Sequence, residues 1–263
     1  MVLCVYNMSY IQSIKSIFSF YRSTVRPYKK MFILITVSSF IATVLYSVLA
    51  PFVIAHVIDH ILNIDNKTWG PLATLVMTYF GVLIAGDVIA WRLVDFYQWT
   101  IEDQVSRSSN KYTRAFITLS DTTIYQIIPL ATSILGSCIL IFMNGSAVLA
   151  LFILVSASSF ILLTPVLTKK LSIAEIRYNT ELSFSKLNKI HTIQQTIIKM
   201  LLTLFSVAVL YITTMQITDT KISLGIGIMS LIYGTSLSRQ LFTFSNNSIK
   251  NYRTCLSSIK LIR

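Results

Sequence analysis

Six apolar runs, each long enough to cross a bilayer as a helix, take up most of this chain. They are Met31 to Ile54, Trp69 to Trp91, Ile124 to Met143, Ser146 to Leu167, Leu201 to Ile217 and Ile222 to Phe244. At roughly 1.5 Å of rise per residue, about 20 apolar residues match the hydrocarbon core of a membrane. The fifth run admits an earlier start at Ile197, with Lys199 reaching toward headgroups. With 54% hydrophobic residues, 12% charged residues and a mean hydropathy of +0.69, too little polar surface remains to cover a soluble globule of this length. The expected fold class is all-α, a polytopic membrane protein with six transmembrane helices and an N-terminal surface helix. Residues 1–30 form a cytoplasmic segment with an interfacial helix in this reading, and residues 31–263 form the six-helix membrane domain with a cytoplasmic C-terminal helix.

The positive residues give an orientation, because Lys and Arg near span ends are retained on the cytoplasmic side. Of the 22 Lys and Arg residues, nineteen fall before the first run, between the second and third, between the fourth and fifth, or after the sixth. Lys67 and Lys221 alone lie on the other side, and Arg239 lies inside the sixth run. Both termini are therefore expected in the cytoplasm, in a plasma (inner) membrane. The net charge of +12 is mostly this topology signal. It is spread over four segments and forms no interleaved basic and aromatic face, so lipid is the expected partner and nucleic acid is not. Three cysteines cannot pair completely, and Cys4 and Cys255 fall in cytoplasmic segments where thiols stay reduced. The first run is too long for the core of a cleavable signal peptide and continues apolar past Pro51, so it is expected to remain in the membrane.

The connections are unequal. Asn144 and Gly145 alone separate the third and fourth runs, which must form a tight antiparallel hairpin, and Thr218 to Lys221 joins the fifth and sixth. The inner connections, Arg92 to Thr123 and Thr168 to Thr196, contain no Gly or Pro and can continue as helix. In the second, Leu171, Ala174, Tyr178, Leu182, Ser185 and Lys189 recur at helical spacing, which predicts a partly amphipathic helix. Ile11, Ile14, Ile17, Phe18 and Tyr21 precede Arg26, Lys29 and Lys30; this segment is either an interfacial helix or a frayed tail.

A pathway for a substrate needs polar residues on one helical face. Ser230, Tyr233, Ser236 and Gln240 form such a stripe in the sixth run, with Arg239 beside it, and Thr43 and Tyr46, with Ser39 and Ser47, form a related face in the first. Arg239 admits a second role, snorkelling or pairing at the inner interface, and the Ser and Thr residues can equally serve close helix packing. Pro51 removes a backbone donor and can kink the first helix. Asp87 is the single carboxylate inside a run; it suits either a proton-coupled secondary transporter or, near the cytoplasmic end with Arg92 five residues on, an interfacial ion pair or a solvated site. His56, Asp59 and His60 share one helical face at metal-ligand spacing, although wet interfacial histidines account for the same pattern and no metal is expected. His191 has no neighbouring nucleophile in a recognisable motif, and no catalytic arrangement can be assembled.

This order resembles the membrane domain of a type I ATP-binding-cassette exporter. The features that carry the likeness are a surface helix ending in Arg26-Pro27-Tyr28, six spans, a minimal outer turn between the third and fourth, and large inner connections. Pro51, Ile127-Ile128-Pro129, Pro165 and Ile222-Ser223-Leu224-Gly225 match locally, and Asn247 to Arg263 resembles the helix that leads into the nucleotide-binding domain. The resemblance implies a permease that forms half of a translocation cavity as a homodimer or with a related half-transporter. ATP and magnesium would then sit only on a partner ATPase. None of the eight glycines is followed by Lys-Ser or Lys-Thr, so no phosphate-cradling loop is present in this chain. The sequence ends at Arg263, where family members with their own motor continue, and both inner connections look shortened, so that no coupling helix can be placed. A second expectation follows from that shortening: a non-transporting relative that inserts or dimerises without coupling.

Overall fold

The structure is a computed structural model that describes residues 26–62, 69–108, 113–167 and 184–248. The N-terminal surface helix, most of the amphipathic repeat from Leu171 to Lys189, and the tail beyond Ser248 lie outside the described residues. Among the described residues the chain is helical throughout, without strands. Six helices follow one another: α1 (Arg26–Leu62), α2 (69–108), α3 (113–143), α4 (Ala147–Leu167), α5 (Phe184–Thr218) and α6 (224–248). Several run past the ends of the apolar runs that predict them. α2 continues through Trp91 to Ser108, since a helix stops at a breaking residue or a cap and not where lipid gives way to water.

Five of the six are long and apolar enough to cross a membrane: Arg26–Leu62, Gly70–Val105, Ser120–Met143, Ala147–Thr164 and Lys189–Thr218. The sixth, Leu224–Thr243, has the length, at 20 residues, but less apolar character. Packing accounts for this. α6 contacts α1, α3, α4 and α5, and Gly225, Ile226, Met229, Ser230, Tyr233, Gly234, Leu237 and Leu241 are buried on it. A helix covered by others over much of its surface presents little of it to lipid, so small and polar residues replace large apolar ones on the covered side. The main core gathers Leu130, Ile134 and Ile141 of α3, Leu149 and Ile153 of α4, Ile198 and Val209 of α5, and Met229 and Leu237 of α6. A smaller core, Ile35, Val94, Ile101, Val105 and Ile124, holds the start of α1 against the far half of α2 and the start of α3.

The short connections take the expected form. Gly145 has φ +92, and the amides of Asn144, Gly145 and Ser146 donate to the last carbonyls of α3, which closes the α3–α4 hairpin. The left-handed backbone there favours glycine.

Polar contacts fasten the helices at several levels. At the far end of α2, Gln98 is 1% exposed; its amide donates to Glu102 Oε1 at 2.8 Å and to Asp121 Oδ1 at 3.3 Å, and it accepts from Ser120 Oγ at 3.3 Å. Ser39 Oγ of α1 donates to the Ile124 carbonyl of α3 at 2.9 Å. At the start of α6, Asp59 of α1 accepts from the Ser223 hydroxyl and, at 2.8 Å, from the Gly225 amide. That places a carboxylate of one helix at the positive N-terminal end of another.

α1, α2 and α3 each contain a π-helical turn, at Val44–Leu49, Ile84–Ala90 and Thr123–Ile127. The first lies immediately before Pro51, whose missing N–H already breaks the regular ladder of α1. The first two turns touch each other. A Cβ on Gly86 would stand 3.0 Å from Leu45 Cβ and 3.2 Å from the Tyr46 nitrogen, so α1 and α2 approach almost backbone to backbone.

Candidate functional site

The described exterior of the helices is largely apolar, with Met77, Phe80, Leu135, Leu151, Leu162 and Leu204 all more than half exposed. The C-terminal half of α6 breaks that rule. Thr235, Arg239, Thr243 and Asn247 are exposed and follow one another every fourth residue, so they line a single face. α5 runs alongside, tied to α6 by the Ser206 and Ser238 hydroxyls at 2.8 Å, and it exposes Thr192, Thr196, Lys199 and Thr203 at helical spacing. The Lys199 ammonium sits 5.3 Å from the centre of the Phe242 ring, three residues beyond Arg239. Two cations from two helices therefore share one exposed polar groove.

The threonines turn their hydroxyl hydrogens inward. Thr196, Thr203, Thr235 and Thr243 donate to carbonyls of their own helices at 2.9, 2.9, 3.0 and 3.1 Å. What remains to face outward is the threonine oxygen lone pairs, the Asn247 amide, the Lys199 ammonium and the Arg239 guanidinium. Among the described residues no carboxylate pairs with either cation. The groove suits water or an anionic group, and it suits hydrocarbon poorly.

The residues singled out from sequence are distributed differently. Ser230 is fully buried and donates to Ile226 O of its own helix at 2.9 Å; Tyr233 is 2% exposed and its hydroxyl donates to the Val48 carbonyl in the π-helical turn of α1. Gln240 is half-buried, its amide donating to Ser133 Oγ of α3 at 3.1 Å while its Oε1 is buried without a partner. Ser236 is half-buried between that face and the groove. Thr43 is 1% exposed and donates to Ser39 O at 2.8 Å, whereas Tyr46 is 49% exposed and Ser47 is half-buried. Ser230, Tyr233 and Gln240 thus meet α1 or α3 or their own backbone, and Arg239 alone of the seven stands in the groove. The groove's other members, Thr235, Thr243 and Asn247 on α6 and Thr192, Thr196, Lys199 and Thr203 on α5, are absent from the sequence reading as site residues. The sequence does carry a signal for them: Thr235, Arg239, Thr243 and Asn247 recur every fourth residue, one position and about 100° from the face of Ser236 and Gln240.

No family model matches the chain, and no curated protein does either. Its chemistry has to follow from its own groups.

Among the described residues no group of three His, Cys, Asp or Glu is placed to hold a metal ion. His56 Nδ1 faces the Phe52 carbonyl at 3.0 Å, Asp59 caps α6, and His60 Nε2 is buried without a partner. Gln195 lies beside His191, with their Nε2 atoms 3.2 Å apart. Asp87 and Arg92 do not pair with each other; both line a recess on α2.

Proposed function

We propose that this chain is the permease-like half of a membrane transporter: six spans with both termini in the cytoplasm of a plasma (inner) membrane, acting as a dimer with a second copy or a related chain. ATP hydrolysis on a separate partner drives it, in keeping with the resemblance to type I ATP-binding-cassette exporters. The observation that carries this reading is the cationic polar groove of α5 and α6 on a largely apolar exterior. Arg239 lies toward the C-terminal end of α6, roughly 22 Å along the helix from Leu224, where an arginine facing lipid costs less than the roughly 2.5–3.5 kcal/mol of mid-span but is still better served by a second polar wall or a water-filled space opposite the groove. A dimer supplies both. Copurification of a tagged chain from its native membrane should yield a stoichiometric ATPase, and the reconstituted pair should move an amphipathic substrate in a vanadate-sensitive way. Arg239→Ala is expected to lower that transport about tenfold, the loss of one charge-assisted contact, while leaving helical content and membrane insertion unchanged. Equal loss of assembly and transport would place Arg239 in the packing instead.

A second reading, a membrane protein that inserts and dimerises without coupling to a motor, is favoured by one specific observation. The inner connections, Arg92 to Thr123 and Thr168 to Thr196, are short for extensions that carry a coupling helix onto an ATPase. Recovery of the chain alone, with no associated hydrolysis, would support this reading over the first.

A further inference from the structure

α2 carries a half-open recess of about 310 Å³ lined by Asp87, Val88, Trp91, Arg92 and Asp95. Asp87, Trp91 and Asp95 stand four residues apart and share one helical face. The π-helical turn Ile84–Ala90 contains Asp87 and shifts it relative to a regular helix. Asp95 is held in place, since its Oδ1 accepts the Tyr125 hydroxyl of α3 at 2.8 Å. The Tyr125 ring in turn stacks on Trp91, with centroids 5.8 Å apart and planes inclined by 16°. One face of the indole is therefore covered by protein. The recess has two carboxylates, one guanidinium and one aromatic ring, an inventory that matches a dipolar ligand with separate positive and negative groups.

Its depth indicates where that ligand comes from. Asp87 lies roughly 26 Å along the helix from Gly70 at 1.5 Å per residue, close to the far boundary of a hydrocarbon core about 30 Å thick. Val88, Leu93 and Phe96 beside it are 56, 43 and 63% exposed, so an apolar surface adjoins the charged lining. A molecule seated there has a charged head and an apolar tail.

The charged groups narrow the head further. A guanidinium presents several N–H donors in a plane and holds phosphate well, while carboxylates need N–H donors opposite them. A quaternary ammonium has no N–H and is held by a cage of aromatic faces. Here one indole has a face to offer beside two carboxylates, which favours a primary ammonium. We propose that this recess binds the headgroup of an ethanolamine phospholipid, with the ammonium between Asp87 and Asp95 over Trp91 and the phosphate on Arg92. The site is separate from the α5–α6 groove and does not depend on transport.

The test is lipid retention by the purified full chain in bilayer discs containing equal amounts of phosphatidylethanolamine and phosphatidylcholine, read by native mass spectrometry. The ethanolamine lipid should be retained in preference. Asp87→Asn should reduce that preference about tenfold, as expected for one charge-assisted contact, without changing choline-lipid retention, whereas Arg92→Gln, which removes the contact to the phosphate that both lipids carry, should lower retention of both about tenfold and leave the preference in place. With the unmodified chain, successive N-methylation of the headgroup should erode the preference as N–H donors disappear. Equal retention of the two lipids, or a preference indifferent to methylation, would overturn the proposal. Free phosphoethanolamine at millimolar concentration should fail to displace the lipid; displacement as effective as that by the diacyl lipid would make the ligand a soluble one and overturn the lipid assignment.

Discussion

Gly225→Ala is expected to lower the unfolding free energy in detergent by about 3 kcal/mol, the upper end of what overpacking a close contact costs. A Cβ at that position would stand 2.2 Å from the Ala55 carbonyl oxygen and 2.6 Å from Asp59 Cγ. The first of these is backbone and cannot turn aside, so α6 must move away from α1. That movement also strains the Asp59 cap, because the Gly225 amide and the Ser223 hydroxyl bond to the same carboxylate. Gly81→Ala is the matched control: nothing lies within 4 Å of its added carbon, and the gain in helix propensity makes it neutral or slightly stabilising. Unfolding in mixed micelles followed by circular dichroism distinguishes them. If the two variants unfold within about 0.5 kcal/mol of each other, α1 and α6 do not meet as closely as described.

Tyr233→Ala should cost a similar amount, about 3 kcal/mol, by leaving a cavity where α6 meets α1. Tyr233 is 2% exposed and among the largest fully enclosed side chains, and its hydroxyl reaches the Val48 carbonyl across the interface. Tyr233→Phe keeps the ring and removes the hydrogen bond, for which about 1 kcal/mol is expected. The difference between the two substitutions is the informative quantity, measured in the same unfolding experiment. If phenylalanine costs as much as alanine, the hydroxyl, and not the ring, holds this junction.

Much of the architecture could be read from the chain because membrane helices announce themselves by length and apolarity. Asn144 and Gly145 gave the α3–α4 hairpin, since two residues between spans permit nothing else. The lack of Gly and Pro after Trp91 predicted that helix would continue, and α2 does so to Ser108. The polar residues of α6 were harder to place. Period alone shows that Ser230, Tyr233, Ser236 and Gln240 share a face, but not whether that face meets open space or another helix. The answer depends on glycines one turn away: Gly225 and Gly234 bring α1 and α5 close enough to enclose one side of α6, which leaves Thr235, Arg239 and Thr243 as the side that is free. The recess on α2 escaped sequence reading for a related reason. Asp95 and Tyr125 are 30 residues apart, and their hydrogen bond depends on how α2 and α3 cross.

The central position of α6 bears on the order in which the bundle is made. Ribosomes deliver helices to the membrane from the N-terminus onward, so α6 emerges after the other five, four of which pack against it. Those five carry enough apolar length to partition on their own, whereas α6, with three glycines and an arginine, is the poorest candidate for independent insertion. By the time it leaves the ribosome, α1, α3 and α5 are already present to receive it. The helix least able to enter lipid alone is thus the one for which a protein-lined slot has been prepared.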